Sequence, residues 1–134
     1  MLMSRREMRE QIFKLLFRVE FNQREEMPEQ EQFFFEDEEN TAALKDCDQI
    51  RDKVNRIVEK LDEIDEKLNM TAEGWQTKRM GKVDLTILRL AVYEIKYDED
   101  IPTGVAINEA VELAKQYDDD KTKAFVNGIL LRLL

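Results

Sequence analysis

The stretch from Leu85 to Ile95 constrains the fold most, because a helix drawn through it carries apolar side chains almost all round. Only a helix surrounded by other elements can bury such a pattern. Asp84 precedes the stretch and suits the exposed N–H groups of a first helical turn. Pro102 stops the helix, and Gly104 allows a tight entry to the next one. We therefore predict a central, buried helix in the second half of the chain.

Two amphipathic helices are predicted after this central helix. In the first, Ile107, Ala110, Val111 and Ala114 recur at the spacing of one helical face. Its alanines would let a neighbouring helix approach closely. The last helix contains Gly128, which costs about 1 kcal/mol relative to alanine inside a helix. A close helix crossing at Gly128 would explain why that cost is tolerated.

Asn108 and Asn127 are polar residues beside these apolar faces. The interpretation we favour is that their amides hydrogen-bond to backbone groups and fix the packing. The alternative is that one of them faces a ligand.

An apolar series after Leu44 alternates spacings of three and four residues over about three heptads. It comprises Cys47, Ile50, Val54, Ile57, Leu61, Ile64 and Leu68. The pattern fits one long helix that self-associates, or helices that pack within one chain, and we favour the second. Because Cys47 is the one cysteine and lies on this series, we interpret it as a core residue.

Composition argues for a binding protein and against an enzyme. The chain has no histidine, which excludes histidine-based catalysis and histidine metal sites. It has no glycine-rich phosphate loop, and Asp118–Asp120 lacks the spacing of an EF-hand. We therefore expect no catalytic residue, no metal and no cofactor.

Location is predicted from what the sequence does not contain. No run of about 18 apolar residues is present, and the first residues lack the apolar region of a secretory signal. A single cysteine excludes an internal disulfide and fits a reducing compartment. We expect a cytoplasmic protein without a membrane segment.

The amino-terminal helix carries positive charge on an otherwise acidic chain. Residues 1–24 hold six basic and three acidic side chains, whereas the remainder holds 15 basic and 27 acidic ones. A capping box of Ser4 and Glu7 predicts the helix start. Arg6, Arg9, Phe13 and Phe17 share neighbouring angles, and such residues grip phosphates and stack on unpaired bases. The alternative is that the rings pack on another helix and the arginines are solvated.

An ordered set of segments resembles the NusB family of bacterial transcription antitermination factors. The segments are Trp75, Arg79, Asp84, ILRLAVYE (Ile87–Glu94), IP (Ile101–Pro102), AINEAVELAKQY (Ala106–Tyr117) and FVNG (Phe125–Gly128). The resemblance implies an all-α fold of about seven helices in two packed sub-bundles within one domain, near residues 4–69 and 75–134. It also implies a break near Lys60–Asp62, with Trp75 wedged between the sub-bundles.

The resemblance further implies a function. NusB-like proteins bind a single-stranded boxA-like element of nascent ribosomal RNA, together with the small-subunit ribosomal protein called NusE, on the RNA polymerase elongation complex. The implied loop Lys121–Lys123 would lie near the RNA-binding helix, and Asp118 stands where the family often has glycine. Our candidate RNA contacts are Arg5, Arg6, Arg9, Phe17, Lys121 and Lys123.

Two other functions remain open. The same helical module occurs in a ribosomal RNA cytosine methyltransferase, but no cofactor-binding βαβ pattern follows it in this sequence. The second alternative is a helical protein–protein adaptor that forms a homodimer through the apolar series and binds no RNA.

Overall fold

Seven α-helices make up most of the described structure, a computed structural model that covers residues 3–37, 40, 44–72, 76–117 and 119–134. The helices are α1 (Arg5–Phe17), α2 (Met27–Glu36), α3 (Leu44–Glu59), α4 (Leu61–Thr71), α5 (Lys82–Tyr97), α6 (Thr103–Tyr117) and α7 (Asp120–Leu133). No strand occurs among these residues. The prediction of an all-α fold with about seven helices is confirmed.

The chain divides into two compact units, Met1–Val58 and Glu59–Leu134. The α4 helix belongs to the second unit, where it packs against α5 and α7, and the expected sub-bundle boundary near residues 69–75 stays a prediction. Trp75, the expected wedge, and Asp118, the expected substitute for glycine, lie outside the described residues.

In the first unit, α1 buries one apolar face and is joined to α2 by one arginine. Ile12, Leu15 and Leu16 are fully buried. Arg18, in the 3₁₀ turn after α1, donates to the carbonyl oxygen of Gln30 at 3.3 Å and to its side-chain oxygen at 3.1 Å. The Arg18 guanidinium therefore has a structural role, because it holds α2 against the end of α1.

The α2 helix is anchored by two of its three consecutive phenylalanines. Phe34 is buried and lies under the Arg18 guanidinium, 5.4 Å from ring centre to carbon. The ring of Phe35 lies under Arg51 at 5.0 Å. Phe33 is 50% exposed and does not share in this anchoring. A helix turns by about 100° per residue, which leaves no single face for three neighbours.

A buried carboxylate accompanies this packing. Glu31 lies inside the first unit, and its carboxylate is 3.5 Å from the Arg51 guanidinium. Burial raises the pKa of Glu31 above its ordinary value of 4.5, and the attraction of Arg51 offsets this only in part. The charged form of Glu31 therefore opposes folding at neutral pH.

We expect Glu31→Gln to flatten the pH dependence of stability. Since the folded-state pKa of Glu31 is raised, the stability that its protonated form provides is present below pH 4.5 and is lost as pH rises through the folded pKa. A neutral amide lacks this loss, so the variant should gain stability relative to the parent over that rise. Urea melts across acidic to neutral pH measure it.

Glu29→Gln removes the same charge at an exposed position of α2 and serves as the control. If both variants showed the same difference from the parent at every pH, burial of Glu31 would not be the cause.

The apolar series is buried within one chain and is interrupted where α3 ends. Glu59 ends α3, Lys60 forms a turn, and Leu61 begins α4. The break near Lys60–Asp62 is therefore confirmed. Every member of the series from 47 to 68 is buried: Cys47, Ile50, Val54, Ile57, Leu61, Ile64 and Leu68. These side chains are covered without a second copy of the chain, as the favoured interpretation predicted.

The central helix of the second unit is α5, as predicted. All ten residues from 85 to 94 are buried, including polar ones. Arg89 donates to both carboxylate oxygens of Asp65 in α4, at 2.9 and 2.7 Å. Near the other end of α5, the Tyr97 hydroxyl donates to Glu63 at 2.9 Å. Two polar contacts thus fix α4 along α5.

The α6 helix buries a face shifted from the predicted one. Ala110 and Ala114 are buried as expected, together with Ala106 and Leu113. Ile107 and Val111 are only half-buried. Because α5 and α7 both contact α6, the helix is covered over a wider arc than one stripe.

The prediction of a close helix crossing at Gly128 is wrong. Gly128 is exposed, and a Cβ atom added there would meet nothing within 4 Å. Helical periodicity indicates on which face of α7 a residue lies, but not how near another helix comes to that face. We therefore expect the added methyl group of Gly128→Ala to cause no steric clash.

Candidate nucleic-acid interface

The first turn of α1 displays two arginines. The Ser4 hydroxyl oxygen accepts the Glu7 N–H at 3.1 Å and the hydroxyl donates to the Glu7 carboxylate at 3.0 Å, which fixes the start of the helix. Arg5 and Arg6 are exposed in the turn that follows. Positive charges oppose the helix dipole at this end. The helix dipole therefore does not account for their position, and their contact with phosphate stays a prediction.

The acidic residues that interrupt the basic cluster have local partners. Glu7 is engaged with Ser4, and the Glu10 carboxylate lies 3.2 Å from the Lys14 ammonium. An exposed pair of this kind contributes little to stability. It does reduce the charge that Glu10 presents to an approaching phosphate.

Arg9 differs from the other candidate arginines. The angular spacing groups it with Arg6, yet Arg9 is only 7% exposed. A guanidinium covered to that extent offers little surface to RNA. The predicted contact by Arg9 has the least structural support of the set.

The aromatic residues of α1 change from core to surface along the helix. Phe13 is buried, so the packing alternative holds for it. Phe17 is half-buried and stacks on Phe13, with centroids 6.3 Å apart and ring planes at 12°. Phe17 therefore keeps part of its side chain exposed to solvent.

Phe21 extends this series and was missed by the sequence analysis. Its ring lies 5.2 Å from that of Phe17 at 90°, and the residue is 62% exposed. The spacing of four residues between Phe13, Phe17 and Phe21 was a readable signal. Phe21 lies outside α1, which ends at Phe17, and follows the 3₁₀ turn Arg18–Glu20.

Lys121 and Lys123 are exposed in the second unit, but not in a loop as predicted. They lie in the first turns of α7, which begins at Asp120. The helix begins there because the Asp119 carboxylate accepts the Thr122 N–H at 3.0 Å and caps it. That hydrogen bond, and the charge of Lys121, lower the pKa of Asp119. Their proximity to the arginines of α1 stays a prediction.

A groove of about 630 Å³ runs between α6 and α7. Its walls combine apolar side chains with two amides and one lysine: Gly104, Ile107, Asn108, Val111, Asp120, Lys123, Ala124, Asn127 and Leu131. Both asparagines line this open groove, Asn108 exposed and Asn127 half-buried, and the choice between a structural and a ligand-facing role stays open.

Other chemistry finds no support in the described part of the chain. Among its residues, no three His, Cys, Asp or Glu side chains are grouped to hold a metal ion. Burial raises the pKa of the Cys47 thiol, which disfavours the reactive thiolate. No helix in residues 3–37, 44–72, 76–117 and 119–134 is long and apolar enough to cross a membrane.

Both a family model and an individual protein sequence relate this chain to NusB. The NusB family model matches residues 6–134. The transcription antitermination protein NusB of Agathobacter rectalis is 48% identical over 130 residues, covering 97% of this chain and 98% of that protein.

Solved structures agree in fold. A T. maritima NusB structure superposes with a TM-score of 0.85 and 39% identity, covering 99% of this chain and 92% of that one. A crystal structure of antitermination factors NusB and NusE with dsRNA gives a TM-score of 0.81 and 27% identity, covering 96% and 94%.

Proposed function

The chain belongs to the NusB family, and from that premise we propose that it is an RNA-binding transcription antitermination factor. The observation that carries the proposal is the family match along nearly the whole chain. The α1 helix supports it, because it carries exposed arginines in its first turn and a partly exposed aromatic ring at its last residue.

RNA contact is assigned to Arg5, Arg6 and Phe17 in the first unit, with Lys121 and Lys123 in the second. Guanidinium groups pair with phosphate oxygens through two parallel N–H donors. An exposed ring face stacks on a base of any sequence. Arg9 has a minor share, since its side chain is covered.

The ligand we infer is a single-stranded boxA-like element of nascent ribosomal RNA. The solved relative with NusE holds duplex RNA. Stacking on Phe17 requires a base whose face is not covered by its neighbours, which a continuous duplex does not offer. A duplex would engage the arginines through phosphates alone.

The partner is NusE, the ribosomal protein of the small subunit, on the RNA polymerase elongation complex. The chain has a net charge of −9, so repulsion limits how much RNA it can hold by itself. A partner that contacts the same RNA raises the apparent affinity without new contacts on this chain.

The role is binding rather than catalysis. The sequence has no histidine, and its one cysteine has a raised pKa. A cytoplasmic location belongs to the same proposal, because the nascent transcript of a bacterium lies there.

The buried apolar series does not support the alternative of a dimeric adaptor. It required the apolar series to be available to a second copy, but Ile50, Val54 and Ile64 are fully buried within one chain. A homodimer through some other surface remains compatible with RNA binding.

We expect the double variant Arg5→Ala/Arg6→Ala to weaken RNA binding and to flatten its salt dependence. Loss of two phosphate contacts lowers the slope of log K against log salt by about 1.4. Titration of a boxA-like single-stranded RNA at several salt concentrations measures this, with and without NusE.

Lys45→Ala/Arg56→Ala is the matched control, since it removes two exposed positive charges from α3. It should bind with nearly the parent slope. An unchanged slope in the α1 variant, or an equal loss in both, would contradict the proposal.

A further inference from the structure

Phe21 is an exposed aromatic residue on a rigid support. Its N–H donates to the Arg18 carbonyl at 3.1 Å, and the Asn22 side-chain amide donates to the same oxygen at 2.8 Å. The next turn is closed by the Gln23 N–H, which donates to the Glu26 carboxylate at 2.9 Å. The backbone on both sides of the ring is therefore held by hydrogen bonds.

Folding alone does not explain this ring. A phenylalanine that is 62% exposed forgoes much of the free energy that full burial of its ring would provide. A polar residue would serve a surface turn better. The ring is instead continuous with Phe17, the residue already assigned to base stacking.

The geometry of the two rings limits what they can bind. Their planes meet at 90° with centroids 5.2 Å apart. Successive bases in a stacked strand are parallel, so two of them cannot stack one on each ring unless the backbone turns. A corner of this shape suits one unstacked base, which lies flat on one ring and meets the other with its edge.

Charge at this corner is close to balanced. The Arg18 guanidinium is directed to Gln30 and Phe34. The exposed Arg24 follows, but Glu25 and Glu26 are exposed beside it. Phosphate attraction is therefore weak here, and stacking supplies the contact.

We propose that Phe17 and Phe21 form a right-angled corner that holds one flipped-out base of single-stranded RNA. This deepens the proposed function and rests on it. Phe21 contributes affinity without contributing to salt dependence, in contrast to Arg5 and Arg6.

The test is a titration of single-stranded boxA-like RNA with Phe21→Ala, in parallel with the parent and at several salt concentrations. Loss of one stacked base weakens binding roughly five-fold or more. The salt slope should stay that of the parent. Phe21→Trp should bind like the parent, whereas Phe21→Leu, which keeps apolar area without a ring, should bind like Phe21→Ala.

Phe33→Ala is the matched control, because Phe33 is 50% exposed in the same unit. It should bind RNA like the parent. RNA with 2-aminopurine at one position in turn locates the base, whose fluorescence should change on binding to the parent and not to Phe21→Ala.

The outcomes are separable. Parent-like binding by Phe21→Ala or Phe21→Leu, or an equal loss in Phe33→Ala, overturns the corner and leaves the proposed function standing. If the parent chain binds no RNA even with NusE, the proposed function itself fails.

Discussion

Replacing Ile64 by alanine is expected to lower the free energy of unfolding by about 2–5 kcal/mol while the chain keeps its oligomeric state. Ile64 is fully buried in α4. Truncating it removes apolar contacts and leaves a cavity that the surrounding helices fill only in part. Urea melts followed by circular dichroism measure the loss, and light scattering measures the mass.

This variant also tests the adaptor alternative. If Ile64 belonged to a dimer interface, its loss would give a smaller particle with a folded chain. Met70→Ala is the control, because Met70 lies on the same helix and is 77% exposed. A surface truncation of this kind should change stability by less than about 0.5 kcal/mol. Equal stability of the two variants would refute the buried assignment.

Replacing Asp65 by alanine is expected to cost about 2–3 kcal/mol of stability. Asp65 accepts two hydrogen bonds from Arg89, whose side chain is 11% exposed. Removing the carboxylate leaves the guanidinium desolvated without the charge opposite it, which is costlier than the pair was worth. The estimate stands below that for a fully buried pair, since the Asp65 side chain is 23% exposed.

A double variant tests whether the unpaired charge is the source of the cost. Asp65→Leu/Arg89→Met replaces both charges by apolar groups and should recover much of the loss, because no buried charge remains. Glu66→Ala, exposed on α4, should have little effect. A double variant as unstable as Asp65→Ala would show that the pair is not the source of the cost.

Much of the fold was predictable because helices follow local rules. The Ser4 and Glu7 cap, the run from Leu85 and the end of α5 before Pro102 each depend on a few neighbouring residues. The break at Lys60 came from the family resemblance, since the apolar spacing continues through it.

The binding site was predictable only in part. The sequence identified a positive amino-terminal helix with phenylalanines, and the angular spacing gave Arg6, Arg9 and Phe17 one face. It did not distinguish an exposed arginine from a covered one. It also missed Phe21, which lies beyond the end of α1 but keeps the four-residue spacing and packs on Phe17.

The sequence by itself determined the helical class, the start of α1, the family and the absence of histidine chemistry. Tertiary structure alone decided that the apolar series is closed within one chain, that Arg9 is covered while Arg6 is exposed, and that Gly128 faces open space. The reason is that periodicity fixes the direction of a side chain around its own helix axis. Whether anything lies in that direction depends on residues far away in the sequence.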